Sequence, residues 1–150
     1  MKKRIGVVVL VLLLLLLAGA GAGFYYYYSK YINIDAIYPG VTIQGMSVGG
    51  MTQEEAEAKV QEYVDQVSQE TVTLQVRKKE TAFPLSDIGL KCTNMDVVEK
   101  AYNLGKTGNV FKRVMEVREL EKKGIQIPLT FSVDKEETKK VVAKKAKKFL

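Results

Sequence analysis

Histidine is missing from all 150 residues, and cysteine occurs once, at Cys92. The first absence excludes Ser-His and Cys-His nucleophile systems and any histidine-ligated zinc site. The second excludes an internal disulfide, so a folded body must be held together by packing. Cys92 itself reads as a small, partly buried apolar residue. With no cysteine near the end of the N-terminal apolar run, a lipoprotein anchor is also unavailable. No pair of acids suggests a glycosidase couple: Glu54, Glu55, Glu57 and Glu62 fall on or near one helix, where acids favour the positive end of the dipole. Gly105-Lys106-Thr107 imitates the end of a phosphate-binding loop, but Lys100 occupies the position of the required leading glycine, and a helix precedes it instead of a strand. The chain is therefore expected to be no enzyme, with no cofactor and no metal.

Charge is uneven. The net value is +6, and removing Lys2, Lys3 and Arg4 leaves +3 for residues 29–150. The last sixteen residues hold seven lysines against two glutamates, so the body from 29 to 134 is slightly acidic. A nucleic-acid binder needs its basic residues clustered on a folded surface, which this body lacks. Lys139, Lys140, Lys144, Lys145, Lys147 and Lys148 read as the wet side of an amphipathic helix, with a grip on anionic polymers or headgroups as the alternative.

What the chain does have is a long apolar run. From Ile5 to Phe24 it carries seven leucines and four valines, preceded by the basic cluster and followed by Tyr25, Tyr26, Tyr27 and Tyr28. About 20 helical residues match the ~30 Å hydrocarbon core, and lipid leaves the backbone no partner outside a helix. At roughly −0.3 to −0.6 kcal/mol per large apolar residue, insertion is favourable by several kcal/mol. The basic start should stay cytoplasmic and the tyrosines suit the opposite interface, giving a single-pass protein of the cell membrane with an extracellular body. The same pattern also describes a cleavable signal peptide, with small residues at Ala18-Gly19-Ala20 or Ala20-Gly21-Ala22. The anchor leads because the small residues run on into a further apolar and aromatic block. Gly19 and Gly23 have the spacing that brings two membrane helices together, a route to a dimer, though small residues of a cleavage region explain them equally.

The organisation expected is a basic start, membrane helix and aromatic interface over 1–28, a stalk over 29–38, and one domain over 39–150. Val41 and Ile43 alternate with polar residues as in a strand. Thr52 with Glu55 forms a capping box before the stripe Ala56, Val60, Tyr63, Val64, Val67. Val72, Leu74 and Val76 mark a half-buried strand, and Thr81 to Pro84 a shorter one that pairs back after a polar connection from Arg77 to Glu80, with Pro84 at its end. Thr93 caps a helix with Val97, Val98, Ala101 and Tyr102 inward, and Gly105 ends it. Asn109 caps the next, which presents Val110, Val114 and Val117 and closes at Gly124. Ile125, Ile127, Leu129 and Phe131 alternate as a strand, with Pro128 favouring an edge. Asp134 caps a final helix with Val142, Ala146 and Phe149. That helix reaches Leu150 without a stop signal, so the chain reads as the front of something longer. The order β-α-β-β-α-α-β-α is an α+β domain with a small sheet packed by helices.

Three stretches in this order resemble a known family. They are Ile37-Tyr-Pro-Gly-Val-Thr-Ile-Gln-Gly-Met-Ser-Val-Gly-Gly-Met-Thr-Gln-Glu-Glu-Ala56, then Leu85-Ser-Asp-Ile-Gly-Leu90 with Ala101-Tyr-Asn-Leu-Gly-Lys-Thr-Gly-Asn109 and Arg113, then Ile125-Gln-Ile-Pro-Leu-Thr-Phe-Ser-Val-Asp134. The family is the peptidoglycan-binding domain found ahead of L,D-transpeptidase catalytic domains and in VanW-like, YoaR-like bacterial surface proteins. The resemblance implies a wall-associated, non-catalytic module whose partner is peptidoglycan or another wall component. Its loop usually reads Gly-Arg-x-Gly-Asn; here Lys106 replaces the arginine, keeping charge but losing the two-pronged donor. Gly108, Asn109 and Arg113 become the candidate ligand contacts, since loop amides at a helix start can receive an acidic stem-peptide group. The alternative for Gly108 and Asn109 is that they merely form the turn and cap. A transpeptidase site needs a Ser/Thr-His-Gly-Cys setting, whereas this chain has Lys91-Cys92-Thr93. The other functional readings are the front of an L,D-transpeptidase whose catalytic domain follows Leu150, or a scaffold binding proteins through sheet edges.

Overall fold

The uninterrupted apolar run winds as one helix, α1 (Lys2–Tyr27), whose side chains from Arg4 to Tyr27 all face outward. The computed structural model describes residues 2–147; Lys148, Phe149 and Leu150, invoked above for the last helix, lie outside the described residues. Helical winding does not stop at the aromatic block. A π-helical turn, Tyr28–Ile32, continues it, closed by Asn33 N donating to Tyr28 O at 2.8 Å.

Residues 29–38 are not a solvated stalk. Ile32 and Ile37 are fully buried and Tyr38 nearly so, all within the main core. At about 1.5–3 kcal/mol for each large side chain removed from water, three such residues make the segment part of the folded body. The helix therefore leads straight into the domain.

Beyond it, the predicted elements form with local corrections. β1 (Val41–Ile43) turns through Gln44 and Gly45 into the short β2 (Met46–Ser47) and also pairs in parallel with β6 (Ile125–Ile127), giving the order β2-β1-β6. The approach to this sheet requires Gly40. Its φ is +87°, and a Cβ there would run into the backbone carbonyl of Leu120. α2 (Gln53–Gln69) starts with the complete capping box, Glu55 N donating to Thr52 Oγ1 at 3.2 Å and Thr52 N to Glu55 Oε2 at 3.0 Å. β3 (Thr71–Val76) and β4 (Lys79–Pro84) form an antiparallel hairpin. The second strand is longer than expected because the connection tightens to Arg77 and Lys78, with Arg77 at φ +57°. Pro84 ends it, as its missing N–H requires.

A 3₁₀ turn, Leu85–Ile88, follows, then β5 (Lys91–Cys92), α3 (Val97–Asn103), α4 (Val110–Lys123), β7 (Phe131–Ser132) and α5 (Lys135–Ala146). Two expectations are corrected here. Thr93 does not cap α3, whose cap position is Asp96. Its amide instead donates to Thr130 O at 2.9 Å, and the two threonine hydroxyls meet at 2.8 Å. The strand expected from Ile125 to Phe131 is broken into β6 and β7. Pro128 cannot donate to a ladder, and the following amides turn to side chains: Leu129 N to Gln44 Oε1 at 2.9 Å and Thr130 N to Asn94 Oδ1 at 2.8 Å. Among the described residues the strands thus form three small sheets in place of one, β2-β1-β6, β3-β4 and β5-β7, in the expected α+β body. Ala56, Val60, Val97, Val98, Ala101, Val117 and Leu120 pack on Val41 and Ile43 to form the core. α5 buries none of its described residues and rests on the 3₁₀ turn, with Asp134 N donating to Ile88 O at 3.1 Å.

Candidate functional site

The loop Gly105–Asn109 joins α3 to α4 and is shaped by its neighbours before any ligand is considered. Gly105 has φ +71°, and a Cβ there would lie 2.9 Å from Val117 Cγ2 and 3.0 Å from the Tyr38 ring. The loop is thus pressed onto the buried Tyr38. Gly108, at φ +94°, and Asn109 are exposed at the start of α4. Asn109 acts as the predicted cap, its Oδ1 accepting from Lys112 N at 2.9 Å. That bond occupies the amide of Lys112, and the Asn109 carbonyl accepts from Arg113 N at 3.0 Å.

Arg113 lies one turn into α4 and turns inward, not toward solvent. Its Nε donates to Gly105 O at 3.2 Å, Nη1 to Tyr28 Oη at 2.7 Å and Nη2 to Ile32 O at 2.7 Å. One guanidinium therefore ties the loop to the end of the apolar helix. The planar fork suits this task, since three acceptors in different directions can be met at once. Ile32 O also accepts from the Tyr38 hydroxyl. Burial pushes the Tyr38 pKa up, with the Arg113 bond and charge pulling the other way.

Beside this clamp, Tyr102 Oη donates to Asp35, which raises the tyrosine's pKa. Lys106 folds back over Tyr102 with Nζ 3.1 Å from the ring centroid. Burial lowers its pKa, partly offset by the nearby Asp35 carboxylate. This is a cation on an aromatic face in a partly desolvated place. Among the described residues no group of three or more Cys, Asp or Glu side chains is placed to hold a metal.

Of the three candidate contacts, Gly108 and Asn109 sit together on the surface, whereas Arg113 faces inward with three donors already engaged. Sequence reasoning missed Tyr28, Ile32 and Tyr38 as the partners that position this loop. A signal existed: Tyr28 and Ile32 keep helical spacing, and Ile32, Ile34, Ile37 and Tyr38 are too apolar for a linker in water.

Comparison with known families matches residues 81–150 to the family described as "Putative peptidoglycan binding domain". The match starts within β4 and includes the loop, α4 and α5. It contains the second and third stretches on which the resemblance was read, and its description agrees with the peptidoglycan-binding part of that resemblance. No curated protein and no solved structure matches the chain.

Proposed function

We propose that this chain is a membrane-tethered, non-catalytic module whose body lies on the outer face of a bacterial cell and holds peptidoglycan. The match of residues 81–150 to a peptidoglycan-binding family carries the reading. The apolar helix supports the tether, being long enough from Arg4 to Ile32 to cross a bilayer. The basic residues before it and the tyrosines after it favour an inside-to-outside orientation. A tether of this kind keeps the body at high local concentration beside the wall, so a weak site suffices. The exposed turn at Gly108 and Asn109, with the first amides of α4, offers donors to a carboxylate of the stem peptide.

The direct test is retention of the full chain, in detergent, by insoluble peptidoglycan. Retention above that of an unrelated domain of equal charge is expected; equal retention refutes wall binding. Orientation is tested separately by protease treatment of intact protoplasts. Loss of the body before lysis is expected, and protection until lysis refutes the outward placement.

A further inference from the structure

Among the described residues beyond Ile32, large apolar side chains are exposed singly at Val72, Ile125 and Val133, but Val110, Phe111 and Met115 crowd the first turns of α4. Phe111 is 77% exposed and Met115 53%. Phe111, Met115, Arg118 and Lys122 recur at i, i+4, i+7 and i+11, which makes one stripe on the side of α4 away from Val117 and Leu120. The stripe forms an open helix face built by α4 alone. Lys123 is engaged by Glu119 at 2.7 Å, whereas among the described residues Lys112, Arg118 and Lys122 direct their side chains at no acceptor.

We propose that this outer face of α4 is the contact surface for an anionic glycopeptide of the wall. The inference rests on the wall-binding reading and locates its site. The Phe111 ring stacks on the C–H face of an acetylated amino sugar, and Met115 meets the acetyl methyl. Arg118 and Lys122 pair with stem-peptide carboxylates. The surface continues into the candidate loop through Lys112, whose Cδ would lie 2.9 Å from a Cβ at Gly108. A lipid surface is the competing occupant. It favours an unbroken apolar band with cations along its flank, but the exposed Glu119 lies beside this stripe. A ligand bearing both amide donors and carboxylates matches that mixture better.

The test uses the full chain in phosphatidylcholine nanodiscs, titrated with a soluble disaccharide-peptide fragment. Because the chain has no tryptophan, Phe111→Trp reports on this face alone. A saturable emission change is expected. Phe111→Ala, and separately Arg118→Ala with Lys122→Ala, should each weaken fragment affinity about tenfold in calorimetry, with unchanged thermal melts. Wild-type affinity in both variants overturns the site. If the unaltered chain is still retained by insoluble peptidoglycan in that case, wall binding stands and only its location fails; if it is not, the wall reading fails as well. A blue shift of the Phe111→Trp reporter in phosphatidylglycerol discs without fragment assigns the face to lipid and also overturns the proposal.

Discussion

Replacing Arg113 by alanine separates a structural clamp from a ligand contact. Three acceptors lose a donor in this variant, but not equally. Ile32 O keeps the Tyr38 hydroxyl, and Tyr28 Oη is accessible enough for water to substitute. Gly105 O belongs to a buried residue and loses its side-chain donor. One buried carbonyl left unsatisfied costs about 1–3 kcal/mol. The lost packing of the arginine stem adds to this, while the half-buried position and ready hydration of Tyr28 limit the rest. A destabilisation of about 2–3 kcal/mol is expected, large beside the whole stability of a small domain. Arg113→Lys should recover less than half of it, because an ammonium cannot reach three acceptors in different directions. The assay is denaturant unfolding of the full chain in detergent, followed by circular dichroism, with Arg118→Ala as the exposed control. If Arg113→Ala unfolds within about 0.5 kcal/mol of that control, the clamp is refuted. Lost peptidoglycan retention with unchanged unfolding would instead make Arg113 a ligand contact.

Gly40→Ala should destabilise by several kcal/mol, since the residue combines φ +87° with a blocked Cβ position; a melt within a degree or two of wild type would contradict this. Tyr38 has a raised folded pKa, so its contribution is intact below the ordinary tyrosine value of about 10 and is lost as pH rises through the folded value. Tyr38→Phe should therefore show a shallower alkaline loss of stability, and an identical alkaline slope removes Tyr38 as the cause. Asp134 has the opposite sign. The amides of Glu137 and Glu136 hold its pKa below the usual carboxylate range, so its cap is complete above that range and fails as pH falls through the depressed value. Amide exchange should therefore register fraying of α5 on the acid side, which Asp134→Asn should abolish; unchanged fraying would refute the assignment. Gly19 and Gly23 have open space around them on α1. If they pair two helices, replacing both by leucine should abolish cross-linked dimers in membranes, and an unchanged pattern excludes that contact.

Local signals were legible wherever the physics is local. The Thr52 capping box, the Asn109 and Asp134 caps, the close of α4 at Gly124 and the hairpin ending at Pro84 all depend on residues within a few positions of one another. They appear where the sequence placed them, and so does the helix through the leucine run. The misplaced cap at Thr93 shows the limit. Threonine is a sound local choice, but Thr130, 37 positions away, offers both a carbonyl and a hydroxyl, and that pairing prevails. The break at Pro128 was foreseeable as an edge, but the rescue of the next two amides by Gln44 and Asn94 was not.

The sequence by itself determined that an apolar helix leads a histidine-free α+β body, because periodicity, capping and composition act over short stretches of chain; the likeness to a wall-binding family rested separately on three ordered stretches of sequence. Only the tertiary structure decided that Ile32, Ile37 and Tyr38 are core, that Arg113 turns inward to join the loop to that helix, and that Phe111 and Met115 remain uncovered. Those outcomes depend on partners up to 85 positions apart, as between Arg113 and Tyr28. Which donor meets which acceptor across such a distance is fixed by packing, and no local pattern encodes it.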